Sequence, residues 1–353
     1  MSPRRFANAA LVAVAVLIAA LLILPNLPDA SSEPTPTPSG SAATSPTPTP
    51  SASAELRPVR LLLGFRPDVQ FAPFYLAQQE GYFADAGLEV TIEHSTNVLP
   101  LVADGQAEFG VADATDVMIA RTSGIPVKYV STLYDRFPVA LIGAPEVVPA
   151  ESSDLAGLRI GTPGPFGSSW HALLALLDAG GLTADDVTIR EYPQFNQVEG
   201  LLNGDVDLIT GFRNNEPLQL EARGMDVQLL TVDLIAPLPG PGLIVGDDLL
   251  AGDPDLVSAF VVAVVRAQAA VIEDPEAGLA AAEAAVPTIA EDREVARSVL
   301  NATVELWQGT DGFRNGAIDR SVWETGYETM RRLGFIDGSV QLDEMIDEGI
   351  AGG

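Results

Sequence analysis

The sequence predicts an α/β fold made of two blocks in which strands alternate with helices, followed by a helical C-terminal part. Short apolar runs alternate with amphipathic stretches between about residues 59 and 142, and again between about 158 and 209. From residue 253 onward the apolar residues recur mostly with a helical period. Strands that alternate with helices usually pair side by side in the same direction, so the pattern predicts a largely parallel sheet.

The first block opens with a βαβ unit. The apolar run Val59–Leu63 is too short for a helix and is followed by a Gly and a Pro, which predicts a buried strand that ends in a turn. An amphipathic helix follows Phe71 and closes at Gly81. Ligands of open α/β sheets bind at the carboxyl ends of the strands, so the loop at residues 65–71 is the first candidate site.

The remaining elements continue this alternation. Further strands are predicted at residues 88–92, 109–111, 127–132, 139–142, 158–161, 187–191 and 208–209, and helices at 98–104, 115–122, 169–178, 197–202, 255–272, 276–285, 291–307 and 319–333. Gly and Pro residues between 143 and 149 suggest a crossing from the first block to the second, and those between 237 and 241 suggest a return. Two blocks joined by two crossings would enclose a cleft.

The sequence of the N-terminal part does not predict a globular structure. Arg4 and Arg5 precede an apolar segment at residues 7–24, which is near the length that spans a bilayer. Because positive charge stays inside, the rest of the chain would face outward. We expect residues 1–30 to form an uncleaved membrane anchor, with a cleaved signal peptide as the alternative. Residues 31–56, rich in Ser, Thr and Pro, predict an extended linker.

The charge of the chain narrows the class of partner. It has 48 acidic and 19 basic residues and a net charge of −29. Nucleic acids and anionic membrane surfaces are bound by clustered cations, so neither is an expected partner. The chain has no cysteine, which rules out disulfide or thiolate chemistry and is compatible with export.

The run YLAQQEGYFADAGLEV at residues 75–90 resembles the signature of ABC-importer substrate-binding proteins for alkanesulfonates, the pyrimidine precursor of thiamine, and riboflavin. Fainter likeness continues through VADGQAEFGVADATDV, RTSGIPVKYVSTLYDRFP, DLAGLRIGTPGPFGSS and GDVDLITGFRNNEP. The resemblance implies a type II periplasmic-binding-protein clamshell. Its first lobe would comprise residues 57–144 and 242–353, and its second lobe residues 145–241. It also implies a monomer that delivers its ligand to an ABC permease.

Within this resemblance the loop before the signature helix indicates the ligand. Pyrimidine binders often have the pattern Pro-Asn-x-Asn-His there, whereas the matching residues here are Pro67, Asp68, Val69, Gln70 and Phe71. Phenylalanine in place of histidine favours stacking on a larger flat ring, so riboflavin is the leading ligand, ahead of the pyrimidine precursor and an alkanesulfonate. Alternatively, Phe71 only packs against the start of the helix.

Other candidate contacts follow predicted strands. Asp113 either accepts hydrogen bonds from the ligand or caps a helix. Tyr134 and Asp135 form a loop that either supports a ring or is an exposed turn. The Gly-rich run after the strand at 158–161 offers backbone NH groups at a helix start, where Ser168 or Ser169 would be the cap. The candidate ligand contacts of the second lobe are Phe166, Gly167, Ser168 and Trp170, together with the amides and carboxylate of Asn214, Asn215 and Glu216.

An enzyme is the main alternative class, because relatives within the resemblance make the thiamine pyrimidine with histidine and iron-linked chemistry. This chain has two histidines, His94 and His171, and neither aligns with the position of Phe71. No Cys, His and carboxylate group has metal-ligand spacing. A structural or adhesive surface protein would leave the loop residues unexplained. We therefore expect a binding protein with no catalytic residue, no metal and no cofactor.

Overall fold

The structure, a computed structural model, describes residues 55–64, 66–309 and 315–351. The predicted anchor at residues 1–30 and all but the last two residues of the predicted linker lie outside the described residues. The strands are β1 Arg57–Leu63, β2 Leu88–His94, β3 Phe109–Ala112, β4 Val127–Thr132, β5 Val139–Gly143, β6 Arg159–Thr162, β7 Thr188–Glu191, β8 Leu208–Phe212, β9 Gln228–Thr231 and β10 Gly242–Gly246.

Helices connect and cover these strands. They are α1 Ala72–Gln79, α2 Tyr82–Asp85, α3 Val98–Ala103, α4 Ala114–Thr122, α5 Gly167–Ala179, α6 Gln197–Leu202, α7 Glu216–Glu221, α8 Asp247–Gly252, α9 Pro254–Glu273, α10 Pro275–Ala285, α11 Arg293–Gln308, α12 Arg320–Arg332, α13 Leu342–Met345 and α14 Glu348–Ala351.

The strands form two five-stranded sheets, each of which defines a lobe. The order in the first sheet is β2-β1-β3-β10-β4, and in the second it is β7-β6-β8-β5-β9. Both sheets are mixed, because β10 runs antiparallel to β3 and β4, and β5 runs antiparallel to β8 and β9. The expectation of a largely parallel sheet was therefore wrong. A strand that returns from the other lobe need not follow the direction set by βαβ connections.

The two crossings can be located from this topology. The strand β5 pairs with β8 and β9, so the chain passes from the first lobe to the second between Thr132 and Val139. The Gly and Pro residues between 143 and 149 predict this crossing after residue 144, and that prediction is wrong because β5 already belongs to the second sheet. The return crossing lies between β9 and β10, in the Pro-rich stretch where the sequence predicted it.

Helices α1, α9, α10 and α11 cover one face of the first sheet. The ring of Phe260 on α9 stacks on Phe109 of β3 with centroids 3.8 Å apart. Helix α9 begins where Asp253 accepts a hydrogen bond from the Leu256 amide and Pro254 occupies the first turn. Among the described residues it is the one helix long and apolar enough to cross a membrane. Half of that apolar window is buried inside the protein, as in a core helix.

Helices α3, α4, α12 and α13 contribute to the core on the opposite face of the first sheet, where Trp323 packs edge-on against Tyr129 at 4.9 Å. In the second lobe, α5 packs against β5 and β8, while α6 and α7 lie beside β8 in a separate small core. The four cores leave the carboxyl ends of the parallel strands uncovered at the boundary between the lobes.

Candidate functional site: a cavity between the two lobes

A cavity of ≈ 560 Å³ lies between the lobes. Its wall is built from loops that follow β1, β2, β3 and β4 in the first lobe and β6, β7 and β8 in the second. This is the edge at which open α/β sheets bind ligands, because side chains and free backbone groups converge there. Helices α9 and α11 add Gln268 and Trp307.

The structure brings most of the predicted site residues together on this cavity. Those that line it are Gln70, Phe71, Asp113, Tyr134, Phe166, Gly167, Ser168, Asn215 and Glu216. Four others do not line it, namely Asp68, Asp135, Trp170 and Asn214.

Each of these four has a different local role. The Asp68 carboxylate turns back and accepts a hydrogen bond from the Gln70 amide at 3.1 Å. Trp170 packs among the core residues of the second lobe. The Asn214 side chain donates to the Thr303 hydroxyl at 2.7 Å, which joins the second lobe to α11. Asp135 lies directly against Gly309, where any added Cβ would meet its carboxylate.

Several lining residues are not among those that the sequence predicts. Residues 95–97 follow β2, and the same strand-end argument that located Asp113 would have found them. Phe195 follows β7 in a Pro-Gln-Phe turn that carries no helix or strand signal. Gln268 and Trp307 belong to helices far along the chain, and only the packing of those helices brings them to the cavity.

Aromatic rings from both lobes line the cavity. In the first lobe Phe71 is almost fully buried and packs edge-on against His94 at 5.5 Å, so it supports its neighbours as well as lining the cavity. In the second lobe Phe166 and Phe195 form an edge-on pair at 6.4 Å and remain 50% and 44% exposed. Phe195 has φ 56°, a conformation rarely adopted by residues other than glycine. Such strain often marks a functional position.

Two buried glutamines place unpaired acceptors in the cavity wall. The Gln268 amide donates to the Leu133 carbonyl at 2.8 Å, and the Gln197 amide donates to the Glu216 carboxylate at 3.3 Å. These bonds fix which end of each amide is the oxygen. Both Oε1 atoms then have no hydrogen-bond partner among the described residues, although each side chain is only 1% exposed. A buried polar atom without a partner is costly, so these oxygens are candidates to bind a ligand donor.

Asp113 joins the lobes. Its carboxylate accepts a hydrogen bond from the Ser168 backbone amide at 3.0 Å, in the first turn of α5. Asp113 precedes α4 but makes no side-chain hydrogen bond to that helix. The expected caps of α5 were also wrong, since Phe166 is the N-cap residue and the serines lie within the helix. The amides of this helix are instead met by a carboxylate from the opposite lobe.

Burial shifts the protonation of the acidic groups in the cavity wall. Burial, together with the neighbouring Asp113 carboxylate, raises the pKa of Asp116 to about 8. Burial also raises the pKa of Glu216 to about 7. The pKa of Asp113 is raised by burial, but the hydrogen bond from the Ser168 amide opposes that shift. Because that bond and the helix dipole favour a negative charge on Asp113, the proton of this acidic pair resides on Asp116 at neutral pH.

His171 lies beside this pair without balancing its charge. Burial lowers the pKa of His171 to about 4, so the ring is neutral at pH 7. Its Nδ1 is 2.9 Å from the Thr115 hydroxyl and 3.7 Å from Asp116. Among the described residues that line the cavity there is no Lys, Arg or His. Across all described residues, no group of three or more His, Cys, Asp or Glu side chains is placed to hold a metal ion.

Two lobes, each with its own sheet, and a cavity at the strand ends between them give this protein the fold of the periplasmic binding proteins. A model of the family described as NMT1/THI5 like matches residues 68–278. The match covers more than half of the chain, and the chain belongs to this family.

Named relatives fall into two groups. The riboflavin-binding protein RibY of Chloroflexus aurantiacus is 34% identical over 92% of this chain and 94% of its own length. The 4-amino-5-hydroxymethyl-2-methylpyrimidine phosphate synthase of Aspergillus parasiticus is 28% identical over 58% of this chain and 64% of its own length. The chain is more similar to the riboflavin-binding relative than to the synthase, both in identity and in the share of each chain that is covered.

Solved structures share the fold at low sequence identity. The periplasmic aliphatic sulphonate binding protein SsuA of Escherichia coli superposes with a TM-score of 0.65, at 13% identity, over 82% of this chain and 92% of its own. The alkanesulfonate-binding protein SsuA of Xanthomonas axonopodis pv. citri, bound to MOPS, gives a TM-score of 0.63 at 15% identity over 83% and 99%.

Proposed function

We propose that this protein is the extracytoplasmic substrate-binding component of an ABC importer and that its ligand is riboflavin. The ligand binds in the cavity between the lobes and passes from there to an ABC permease. The proposal is supported by the RibY relative, which matches nearly the whole chain, and by the aromatic wall of the cavity.

The exposed pair Phe166 and Phe195 is the observation that carries the ligand class. Large aromatic side chains that are half exposed inside a cavity present ring surface to a bound ligand. A flat heteroaromatic ring fits such a wall because offset and edge-on ring contacts are favourable. The cavity volume of ≈ 560 Å³ falls within the range of about 300–1,000 Å³ that holds small-molecule ligands.

The proposed mechanism is capture by closure. Contacts between the lobes include Asp113 with Ser168, Asn214 with Thr303, and Arg332 with Asp178, the last at 2.8 Å. These bonds would break when the lobes separate. Ligand that contacts both lobes would shift the population toward the closed form, which the permease would recognise.

The other ligands fit the cavity less well. A sulfonate carries a fixed negative charge, whereas the described lining includes Asp113, Asp116 and Glu216 and no basic residue. The pyrimidine precursor of thiamine is the second candidate, since its ring would also stack. We further propose that the N-terminal segment anchors a monomeric binding domain to the outer face of the cell membrane.

The test is a titration of the purified chain with riboflavin, followed by the quenching of flavin fluorescence. We expect saturable quenching by the native chain. Phe166→Ala and Phe195→Ala should each weaken binding by roughly tenfold, the effect of losing an aromatic contact of about 1.4 kcal/mol. Val262→Ala, at an exposed site on α9, is the matched control and should bind as the native chain does.

Two results would refute the proposal in different ways. If the chain leaves riboflavin fluorescence unchanged, riboflavin is excluded as the ligand, and pyrimidines would be tested next. If riboflavin binds but small-angle scattering shows the same radius of gyration with and without it, capture by closure would be rejected.

A further inference from the structure

The first turn of α5 is the part of the cavity best suited to bind an anion. Free amides and the positive end of the helix dipole meet there, at a Gly-rich loop. In this protein the position is already occupied, because the Asp113 carboxylate accepts the hydrogen bond from the Ser168 amide. A ligand phosphate or sulfonate would have to displace a carboxylate supplied by the opposite lobe.

In the described part of the chain, two unpaired acceptors in the cavity wall point to the same ligand chemistry, while Trp307 Nε1 is an unpaired donor there and Ser168 Oγ can act as donor or acceptor. The Oε1 atoms of Gln197 and Gln268, one from each lobe, are acceptors without partners among the described residues. An acceptor binds a hydroxyl or an NH group, and it repels the oxygen atoms of a phosphate, which at neutral pH are nearly all acceptors. A polyol chain or a ring imide therefore complements these atoms, and a phosphate group does not.

We propose that the cavity selects the uncharged, hydroxyl-bearing form of the vitamin and rejects its phosphorylated form, with Asp113 as the residue that sets this specificity. This inference rests on the proposed function. It adds that the imported vitamin would be the substrate of a kinase reaction inside the cell, and that the phosphorylated product of that reaction would not be imported. The rejection arises from charge, since phosphorylation adds about two negative charges and three acceptor oxygens.

The other charged groups near the cavity mostly reinforce Asp113. Glu216 adds a second carboxylate from the second lobe, and its pKa of about 7 leaves it partly ionised at neutral pH. Asp116 holds a proton at that pH, and the buried ring of His171 is neutral. Arg66 acts in the opposite direction, because its charge lowers the pKa of Glu216 and of Asp68. Arg66 itself does not line the cavity.

The experiment compares riboflavin with flavin mononucleotide on the full chain at pH 7.5, by fluorescence quenching. Two unit charges about 6 Å apart at an effective dielectric constant of about 20 repel by an amount that corresponds to roughly a hundredfold in Kd. Allowing for screening by water in the cavity, we expect flavin mononucleotide to bind at least about tenfold more weakly than riboflavin.

Asp113→Asn keeps an oxygen that can accept from the Ser168 amide and removes the charge. We expect the ratio of the two Kd values to fall several-fold in this variant. Glu216→Gln keeps the acceptor for the Phe212 amide and should reduce the ratio by a smaller factor, which provides a second test if Asp113→Asn does not fold. Asp104→Asn changes an exposed carboxylate at the end of α3 and should leave the ratio unchanged.

The outcomes separate this inference from the proposed function. Equal binding of the two flavins by the native chain would overturn the inference while leaving a riboflavin-binding protein. A strong preference for riboflavin that neither Asp113→Asn nor Glu216→Gln reduces would overturn the role given to charge. Failure of both flavins to bind would reject the proposed function and this inference with it.

Discussion

Replacing Asp116 with asparagine should change how stability depends on pH. The unfolded carboxyl group titrates near about 3.9, whereas in the folded protein burial and the Asp113 charge raise the pKa of Asp116 to about 8. Between these values the folded state holds one proton more than the unfolded state. Stability from this group is therefore fully present below about pH 4 and is lost as the pH rises through about 8.

The size of the effect follows from the proton difference. One extra proton in the folded state gives a slope of about −1.4 kcal/mol per pH unit in the free energy of unfolding, or about 2.8 kcal/mol from pH 5 to pH 7. A third of the Asp116 side chain is exposed, and it lines the cavity, so water there reduces the penalty on its charged form. We expect a difference of about 1–3 kcal/mol after this screening.

The assay is urea unfolding at pH 5, 6, 7 and 8, with the native chain and Asp116→Asn side by side. Asparagine mimics the protonated acid, so the variant should lose less stability than the native chain as the pH rises. Asp104→Asn, at an exposed site, should run parallel to the native chain. If the Asp116→Asn curve also ran parallel, Asp116 would be ionised in the folded protein and the assignment of the proton within the Asp113 and Asp116 pair would be wrong.

Two further predictions concern the contact between the lobes and the crossings. Thr303→Val removes the hydroxyl that accepts the hydrogen bond from the buried Asn214 amide, which should lower the free energy of unfolding by about 1–3 kcal/mol. Small-angle scattering should also show a larger radius of gyration. An unchanged radius would mean that this bond does not hold the lobes together. Gly240→Ala would place a methyl group 2.2 Å from the Tyr134 carbonyl oxygen in the other crossing, and urea unfolding should show a loss of about 1–3 kcal/mol. Gly252→Ala, with no atom within 4 Å of the added carbon, is its control, and equal stability of the two variants would contradict the close packing of the crossings.

The sequence determined the local elements, because each depends on its own residues. The strand β4 at Val127–Thr132 and the helix α6 at Gln197–Leu202 were predicted with their observed bounds. The strand-end rule also located Asp113 and the Gly-rich loop on the cavity wall, since loops at the carboxyl edge of a sheet converge in this fold class. The resemblance in the run at residues 75–90 indicated the family.

Only the tertiary structure decided what those elements meet. β5 pairs within the second sheet and β10 within the first because of where the chain crosses between the lobes. The apolar residues of a strand do not indicate which strand it pairs with. The same holds for Gln268 and Trp307, whose helices could pack in many ways by their own pattern. From the sequence, Asp113 could be a ligand contact or a cap of its own helix, because a cap depends only on local residues. It binds α5 because lobe packing places that helix opposite it, 55 residues further along the chain.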